Sequence, residues 1–214
     1  MPAPETPGVV IGNHTQKYTA KNPAIRWLTE RWVANLERVF ARIDAELRQS
    51  GSPPRRVLEV GCGEGVISDK LQRRWGNTVG LDLPDAGLRA QWRQLGGDPP
   101  PAFLHADALR LPFDDDMFDV VVAVEVLEHL PDPVRGLEEI ARVGRGHVVL
   151  SVPREPIFRT CNLLAGRYVK DLGNTPGHLN HWSGAAFKRF VGNVAAVREV
   201  TYPFPWTTVW ATLR

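Results

Sequence analysis

The chain has 214 residues, of which 43 % are hydrophobic, and a formal net charge of +2. This is enough apolar material for one substantial core, so one domain is expected, and the small net charge with scattered basic residues argues against a nucleic-acid-binding face. The two cysteines, Cys62 and Cys161, have no metal-ligand spacing and do not indicate a disulfide framework. No leader pattern and no apolar run of membrane-spanning length stand out, so a cytoplasmic protein is the default expectation.

The N-terminal part combines an irregular stretch with a long helical pattern. Residues 1–15 hold prolines, glycines and polar residues with little periodicity, which predicts a mobile segment. From Pro23 to Arg48 apolar residues recur every three or four positions, which predicts one or two helices, with Asn22 placed to cap them and Pro23 in the first turn. Residues 16–50 are therefore expected to form a helical cap on a single domain covering residues 16–214.

The most informative stretch runs from Val57 to Gly65 and reads V-L-E-V-G-C-G-E-G. It predicts a short buried strand that ends in a glycine-rich turn before a helix, a place where a ligand can approach bare backbone. A dinucleotide-binding turn would read G-x-G-x-x-G and hold a pyrophosphate. Here Glu59 and Glu64 would repel a pyrophosphate but suit an ammonium or sulfonium group, which favours S-adenosylmethionine (SAM) over NAD.

Acids also stand at the ends of the next three predicted strands. Asp82 comes about twenty residues after the turn, where nucleotide-binding α/β folds place an acid on the ribose hydroxyls. Asp107 follows a short apolar run and can accept a hydrogen bond from an amine such as that of adenine, and Glu125 ends the apolar run Phe118 to Val124. Asp82 can also cap a helix that begins near Pro84.

The alternation of strand and helix patterns predicts an α/β fold, a Rossmann-like, mostly parallel sheet with helices on both faces. The predicted strands cover residues 56–60, 78–82, 102–106, 118–124, 146–151, 194–200 and 206–213, and the crossover helices cover 65–75, 85–95 and 132–143. Between the third and fourth strands, Asp114, Asp115 and Asp116 are interpreted as a solvated turn. No metal site is predicted.

The motifs together resemble the class I SAM-dependent methyltransferases, in the small-molecule branch that includes UbiE and UbiG (methyltransferase type 11). The matching residues are V-L-E-V-G-C-G-E-G, then G-L-D-L, then the stretch from His105 to Pro133 that contains E-V-L-E-H-L-P-D-P. The resemblance covers roughly residues 55–151 and implies an open seven-stranded sheet whose last strand is antiparallel.

The resemblance also implies roles for single residues in binding SAM. The glycine-rich turn would lie along the cofactor, the acid after the second strand would hold the ribose, the acid after the third would hold the adenine, and the end of the fourth strand would lie near the methionine part. Tyr18, ahead of the first helix, would close over the methionine end, or would instead pack that helix onto the sheet. The cofactor-binding residues predicted in this way are Tyr18, Glu59, Gly61, Cys62, Gly63, Asp82, Leu83, Asp107, Ala108 and Glu125.

Residues 153–183, after the fifth strand, are predicted to form a lid over the acceptor, because binding residues collect on loops at the carboxyl ends of parallel strands. His178 and His181 in this segment are candidates for a general base, with a structural role in the loop as the alternative. Ser183 is expected to cap a helix from Gly184 to Val191. His129, after the fourth strand, is a third candidate, for which a structural or cofactor-shell role is the alternative.

The sequence therefore predicts an enzyme that moves a methyl group from SAM to a small-molecule acceptor, with oxygen as the expected target. N- or C-methylation of a small molecule, and methylation of a protein or RNA, remain alternatives within the same class. A SAM-binding partner subunit without methyl transfer of its own is the alternative from another class. A positioned acceptor with water excluded can react without a strong base, because the sulfonium is already activated.

Overall fold

The computed structural model describes residue 18 and residues 20–51, 56–84 and 102–213. Two predicted elements lie outside the described residues: the mobile segment at residues 1–15 and the helix at residues 85–95. The predicted capping of that helix by Asp82 therefore also falls outside them. Elements are numbered below in chain order within the described part.

Seven strands form one sheet, as the sequence predicted. They are β1 (Val57–Val60), β2 (Thr78–Asp82), β3 (Ala102–His105), β4 (Phe118–Val124), β5 (Gly144–Pro153), β6 (Ala195–Thr201) and β7 (Trp206–Leu213). Their order across the sheet is β3-β2-β1-β4-β5-β7-β6. The five strands from β3 to β5 run parallel, and β7 pairs antiparallel with both β5 and β6. The prediction of an open, mostly parallel sheet with an antiparallel last strand is confirmed.

The described helices also agree with the sequence patterns. They are α1 (Pro23–Gln49), α2 (Val66–Trp75), α3 (Pro133–Val143), α4 (Ile157–Leu164) and α5 (Gly184–Gly192), with 3₁₀-helices at Leu127–His129 and Val169–Asp171. The side chain of Asn22 accepts a hydrogen bond from the Ala24 N–H at the start of α1, and that of Ser183 accepts from the Ala186 N–H at the start of α5. Both predicted caps are confirmed. No helix in the described ranges combines the length and apolar character that crossing a membrane requires.

One face of the sheet is covered by α1 and α2. Successive side chains of a strand point to opposite faces, so Val120, Val122 and Val124 of β4 all turn toward these two helices. The apolar stripe of α1 packs on them with five fully or almost fully buried side chains: Trp32, Leu36, Val39, Phe40 and Ile43. Burying each such side chain is worth about 1.5–3 kcal/mol, so this stripe fixes α1 on the sheet.

The other face of the sheet is covered by α3 and α5. Leu58 and Val60 of β1, with Val121 and Ala123 of β4, pack in the same core cluster as Leu137 and Ile140 of α3 and Phe187 and Val191 of α5. The result is a three-layer arrangement in which both faces of the parallel strands are buried. This explains the nearly continuous apolar runs of the central strands.

Candidate active site

The carboxyl ends of β1 to β4 meet at one edge of the sheet and bring the predicted motifs together. The N–H groups of Gly61 and Cys62 donate to the carbonyl of Leu81 at 2.8 and 3.0 Å, and the Ala106 N–H donates to the Asp82 carbonyl at 3.1 Å. The register pairs Asp82 with His105. The glycine-rich turn, the end of β2 and the end of β3 therefore lie side by side, as the parallel strand order requires.

The turn after β1 depends on glycine for two different reasons. Gly61 has a φ of +70°, and a Cβ there would lie 2.4 Å from a methyl carbon of Val126, so a larger residue has neither the conformation nor the space. Gly63 has a φ of +48°, and a Cβ there would meet no atom of the described residues within 4 Å. Within the described part of the chain, the turn thus leaves room at Gly63 for a ligand that lies along the backbone.

Asp82 joins the end of β2 to this turn. One carboxylate oxygen accepts a hydrogen bond from the Gly63 N–H at 2.7 Å, and the other accepts from its neighbour Leu83 at 2.7 Å. Both contacts fix the orientation of the carboxylate, because a backbone donor cannot rotate away. Asp82 and Gly63, two of the predicted cofactor-binding residues, are in direct contact.

Glu59 lies beneath the turn, on the face of β1 that α2 covers. Its side chain is only 2 % exposed and accepts a hydrogen bond from the hydroxyl of Ser68 in α2. Burial is the largest influence on the pKa of Glu59; the Ser68 hydrogen bond lowers the pKa and the charge of Asp82 raises it, and together these influences bring it to about 8. The surroundings of Glu59 therefore favour its neutral form.

Tyr18 and Cys62 share this acidic surrounding. Burial, followed by the carboxylates of Glu59 and Glu64, raises the pKa of the Tyr18 hydroxyl well above its usual range. Burial, followed by the charges of Glu59 and Asp82, does the same to the Cys62 thiol. These surroundings therefore favour the thiol form of Cys62 over the nucleophilic thiolate. The ring of Tyr18 also stacks on that of Trp32 in α1, with 6.4 Å between the centroids, which is a packing contact of the kind that the alternative interpretation of Tyr18 predicted.

Asp107 lies at the rim. Its side chain is exposed, and one carboxylate oxygen accepts a hydrogen bond from the Leu109 N–H at 2.9 Å. Ala108 beside it is buried, while Leu83 is partly exposed. Asp107 therefore stands two residues beyond the β3 residue that pairs with Asp82, on the same edge of the sheet.

Glu125 turns the chain away from β4. Its φ of +57° is uncommon for a residue with a side chain, and its carboxylate accepts a hydrogen bond of 2.7 Å from the indole N–H of Trp206. Backbone strain of this kind persists only where the surroundings fix it, and functional sites are a common place for it. The sequence patterns did not single out Trp206, because its partner lies 81 residues away in the chain.

The three candidate histidines do not lie together. His129 and His178 are in contact, with ring centroids 4.9 Å apart, and the ring of His178 also lies 5.9 Å from that of Phe158. His181 is exposed, and its Nε2 forms a hydrogen bond of 2.7 Å with the Oδ1 of Asn174 in its own loop. Partial desolvation of its ring within the loop lowers the pKa of His181, and the positive charge of Arg159 adds to the shift.

A row of aromatic rings connects the N-terminal part to this histidine pair. The centroid distances are 4.7 Å from Trp32 to Trp206, 6.1 Å from Trp206 to Phe158 and 5.9 Å from Phe158 to His178. The row passes the Glu125 carboxylate, because Trp206 donates to it. Aromatic rings that pack offset or edge-on against one another can pack in the same way against a flat aromatic ligand.

The run Asp114–Asp116 lies away from this site and is exposed, in agreement with the solvated turn that the sequence predicted. Asp115 forms an ion pair of 2.7 Å with Arg142. A surface hollow that the run helps to line also contains Arg56, Met117 and Arg145. These three residues precede or begin β1, β4 and β5, so the hollow is at the opposite edge of the sheet from the site.

Comparisons with known proteins agree with this geometry. Residues 58–151 match the family described as a methyltransferase domain. The chain is 37 % identical over 109 residues to demethylmenaquinone methyltransferase of Clavibacter sepedonicus, and the match covers 49 % of this chain and 44 % of that protein. It is 32 % identical over 127 residues to ubiquinone biosynthesis O-methyltransferase of Alkalilimnicola ehrlichii, with coverage of 57 % and 51 %. The chain thus spans about half the length of these curated relatives.

Solved structures show the same fold. Magnesium protoporphyrin IX methyltransferase from Synechocystis PCC 6803, crystallised with bound SAH, matches with a TM-score of 0.61 at 17 % identity. That match covers 92 % of this chain and 91 % of the other.

Proposed function

We propose that this protein is a class I SAM-dependent methyltransferase that transfers a methyl group from SAM to an oxygen atom of a small-molecule acceptor. The match of residues 58–151 to a methyltransferase domain, and the fold shared with a methyltransferase crystallised with SAH, support the proposal. In this reaction the acceptor hydroxyl loses its proton, its oxygen forms a bond to the methyl carbon, and the carbon–sulfur bond breaks to leave S-adenosylhomocysteine (SAH). The sulfonium charge disappears as the bond breaks.

The contact between Asp82 and Gly63 carries the cofactor half of the proposal. It fixes a partly exposed carboxylate beside a positive-φ glycine at which a Cβ would meet no described atom within 4 Å. A carboxylate held in this way can accept hydrogen bonds from the ribose hydroxyls while the cofactor lies along the turn. Asp107, on the same edge, is proposed to meet the adenine, and Glu125 and Tyr18 the methionine end.

The aromatic row and the histidine pair support the acceptor half. Trp206 is hydrogen-bonded to Glu125, and the rings of Phe158 and His178 continue the row from Trp206. If Glu125 lies at the methionine end of the cofactor, as proposed, this row adjoins the methyl group. We propose that a flat, hydroxylated aromatic acceptor stacks there, with His129 and His178 near its hydroxyl group. His181 is hydrogen-bonded to Asn174 and is proposed to stabilise the conformation of its loop.

A second candidate is methyl transfer to carbon. It is favoured by the match to demethylmenaquinone methyltransferase at 37 % identity, alongside the match to an enzyme named as an O-methyltransferase. Both candidates use the same cofactor geometry, and the position of the methyl group in the product separates them.

The proposal is tested with ¹³C-methyl SAM and a panel of phenols, catechols and aromatic quinols. We expect SAH to form only when an acceptor is present, with the labelled methyl on oxygen by NMR. A label on ring carbon would replace the first candidate by the second. SAM binding without turnover for any acceptor would point to a partner subunit instead.

The cofactor half is tested by calorimetry on Asp82→Asn. Loss of the negative charge removes charge-assisted hydrogen bonds worth about 1.5–3 kcal/mol, so SAM affinity should fall about 10- to 100-fold. Asp69→Asn is the matched control, because Asp69 is an exposed aspartate on α2 that pairs only with Arg73 among the ion pairs described. Equal affinity of the two variants would remove Asp82 from the site.

A further inference from the structure

Three potential metal ligands converge next to the aromatic row. Glu128, His129 and His178 each offer one ligand atom, and these atoms all lie within 4.8 Å of one another. On a tetrahedral zinc ion with bonds of about 2.0–2.1 Å, neighbouring ligand atoms lie about 3.3 Å apart. A shift of roughly one ångström in the side chains would therefore bring the three atoms onto one ion, which rotamer adjustment can supply.

The backbone holds this cluster together from both sides. Glu128 and His129 belong to the 3₁₀-helix after β4, whereas His178 comes from the 153–183 segment. The N–H groups of Leu179 and Asn180 both donate to the carbonyl of Glu128, at 2.8 and 3.0 Å. The side-chain amide of Asn180 donates to the carbonyls of Leu127 and Leu130, at 3.2 and 2.7 Å. The two chain segments are thus joined within two residues of His178.

A further hydrogen bond prepares His129 as a ligand. Its Nδ1 lies 2.9 Å from the carbonyl oxygen of Gly177. A carbonyl only accepts, so Nδ1 carries the proton and Nε2 has the lone pair. Histidines that bind metals characteristically donate their other ring N–H to a carbonyl or carboxylate, which fixes the tautomer and the ring orientation.

Burial completes the site. Glu128 is 1 % exposed and His178 is 9 % exposed. A carboxylate held away from water is stabilised in its ionised form by a cation far more strongly than at the surface. Two imidazoles and one carboxylate are the ligands of zinc and other late first-row divalent ions, whereas magnesium and calcium prefer oxygen ligands alone.

We propose that Glu128, His129 and His178 bind one divalent cation of the zinc class. The sequence predicted no metal site, because His178 lies 49 residues beyond His129 and only the fold brings the three together. Three protein ligands leave a fourth position on the ion, which is the arrangement of metal sites that bind substrate.

The fourth position gives the cation a role, and this part rests on the proposed function. The cation takes the acceptor hydroxyl oxygen as its fourth ligand and lowers its pKa, so the proton leaves to water and the oxygen remains as a metal-bound oxyanion. That oxygen then forms the bond to the methyl carbon of SAM while the carbon–sulfur bond breaks. His129 and His178 would thus act through the cation instead of as free bases.

Cation binding is tested directly with Co²⁺ and Zn²⁺ alone. The full chain, freed of metal with a chelator, is titrated with Co²⁺ and followed by its visible absorption, and Zn²⁺ is then added in competition. We expect one Co²⁺ per chain with the intense bands of a four-coordinate site, displaced by Zn²⁺. Since second-shell partners already change metal affinity by about 10- to 100-fold, His178→Ala and Glu128→Gln should each weaken it at least 100-fold.

His181→Ala is the matched control, because His181 lies three residues from His178 but contacts Asn174 instead of the cluster. SAH affinity, measured on every variant, shows whether the fold and the cofactor site are intact. If Glu128→Gln fails to fold, His178→Ala decides the question, because its ring is contributed by a loop. Wild-type protein that binds Co²⁺ no more tightly than a folded His178→Ala protein would overturn the site.

The acceptor role has its own readout. With Co²⁺ bound, addition of the acceptor identified by the turnover assay should shift the visible absorption bands, because a ligand of the ion changes. That role would be overturned if the bands stayed unchanged at saturating acceptor and the chelator did not reduce turnover. Protein that binds Co²⁺ at this cluster but never forms SAH would leave the cation site standing and would refute the proposed function.

Discussion

The carboxyl group of Glu59 lies beneath the glycine-rich turn, in a surrounding that favours its neutral form. Burial is the main cause that raises its pKa to about 8, which favours the protonated form in the cofactor-free protein. We propose that the ammonium and sulfonium charges of SAM reverse this preference, because a nearby positive charge stabilises the carboxylate. Glu59 would then lose its proton as the cofactor binds.

This proposal predicts proton release on SAM binding between about pH 6 and 8. The pKa of Glu59 is raised in the free protein, and the proposal requires that SAM lowers it in the complex. Binding should therefore strengthen as pH rises toward 8 and level off above it. Calorimetry in buffers with different ionisation heats counts the protons. Glu59→Gln reports the protons that come from SAM itself, and the wild type should release up to one more. Equal proton counts for the two proteins would contradict the proposal.

At the scale of the element, the 153–183 segment differs from the sheet that it follows. Neither α4 nor the 3₁₀-helix Val169–Asp171 has a fully buried residue, and Leu164 is 86 % exposed. The end of the segment is different, because Leu179 and Asn180 are hydrogen-bonded to Glu128. Residues 157–172 therefore include no fully buried residue, although the ring of Phe158 packs against Trp206 and His178. Leu179 and Asn180, by contrast, are tied to the 3₁₀-helix after β4.

We predict that hydrogen exchange will divide the segment in this way. Without ligands, amides of residues 157–172 should exchange fast and those of Leu179 and Asn180 slowly, with β4 as the slow internal reference. With SAH and acceptor together, residues 157–172 should become protected, because the segment closes over the bound pair. Exchange by mass spectrometry at peptide resolution measures this. Slow exchange of residues 157–172 in the free protein would make the segment a fixed wall instead of a lid.

At the scale of the whole molecule, a buried charge joins α3 to the loop before β4. Glu139 is 2 % exposed and accepts hydrogen bonds from Arg142 at 2.8 Å, Arg135 at 3.0 Å and the Leu111 N–H at 2.8 Å. The hydrogen bond from Arg142 is the largest of the influences that lower the pKa of Glu139. Arg142 continues the connection through the carbonyls of Leu111 and Phe113.

The lowered pKa predicts an acid-sensitive contribution to stability. A group whose pKa is depressed by folding stabilises the protein above its unfolded pKa, and this contribution is lost as pH falls through the folded pKa. Glu139→Gln should lower the free energy of unfolding by about 1.5–3 kcal/mol at pH 7, since bonds to charged donors are lost. Below its ordinary pKa of 4.5, the difference from wild type should shrink.

Urea unfolding from pH 3 to 7 measures that difference. Glu138→Gln is the matched control, because Glu138 is 53 % exposed and its contact to Arg135 is 3.9 Å long. The control should change stability by less than about 0.5 kcal/mol at every pH. A Glu139→Gln protein that unfolds like the control would show that the buried cluster adds nothing.

The sequence by itself determined the strands, the caps and the glycine-rich turn, because each depends on residues within a few positions of one another. The apolar runs of β1 and β4 and the Asn22 and Ser183 caps are such local patterns, and the structure confirms them. The order of the acids along the chain also placed Asp82 beside the turn, since parallel strands end at the same edge of a sheet.

Only the tertiary structure decided which side chains share a surrounding. Burial under α2 changes the acidity of Glu59, and it depends on how the helix packs on the sheet. The hydrogen bond from Trp206 to Glu125 joins residues that are 81 positions apart in the chain. The ring contact between His129 and His178 joins residues that are 49 positions apart. No local sequence pattern predicts such contacts. The spatial distance between residues far apart in the chain depends on how all the elements between them pack.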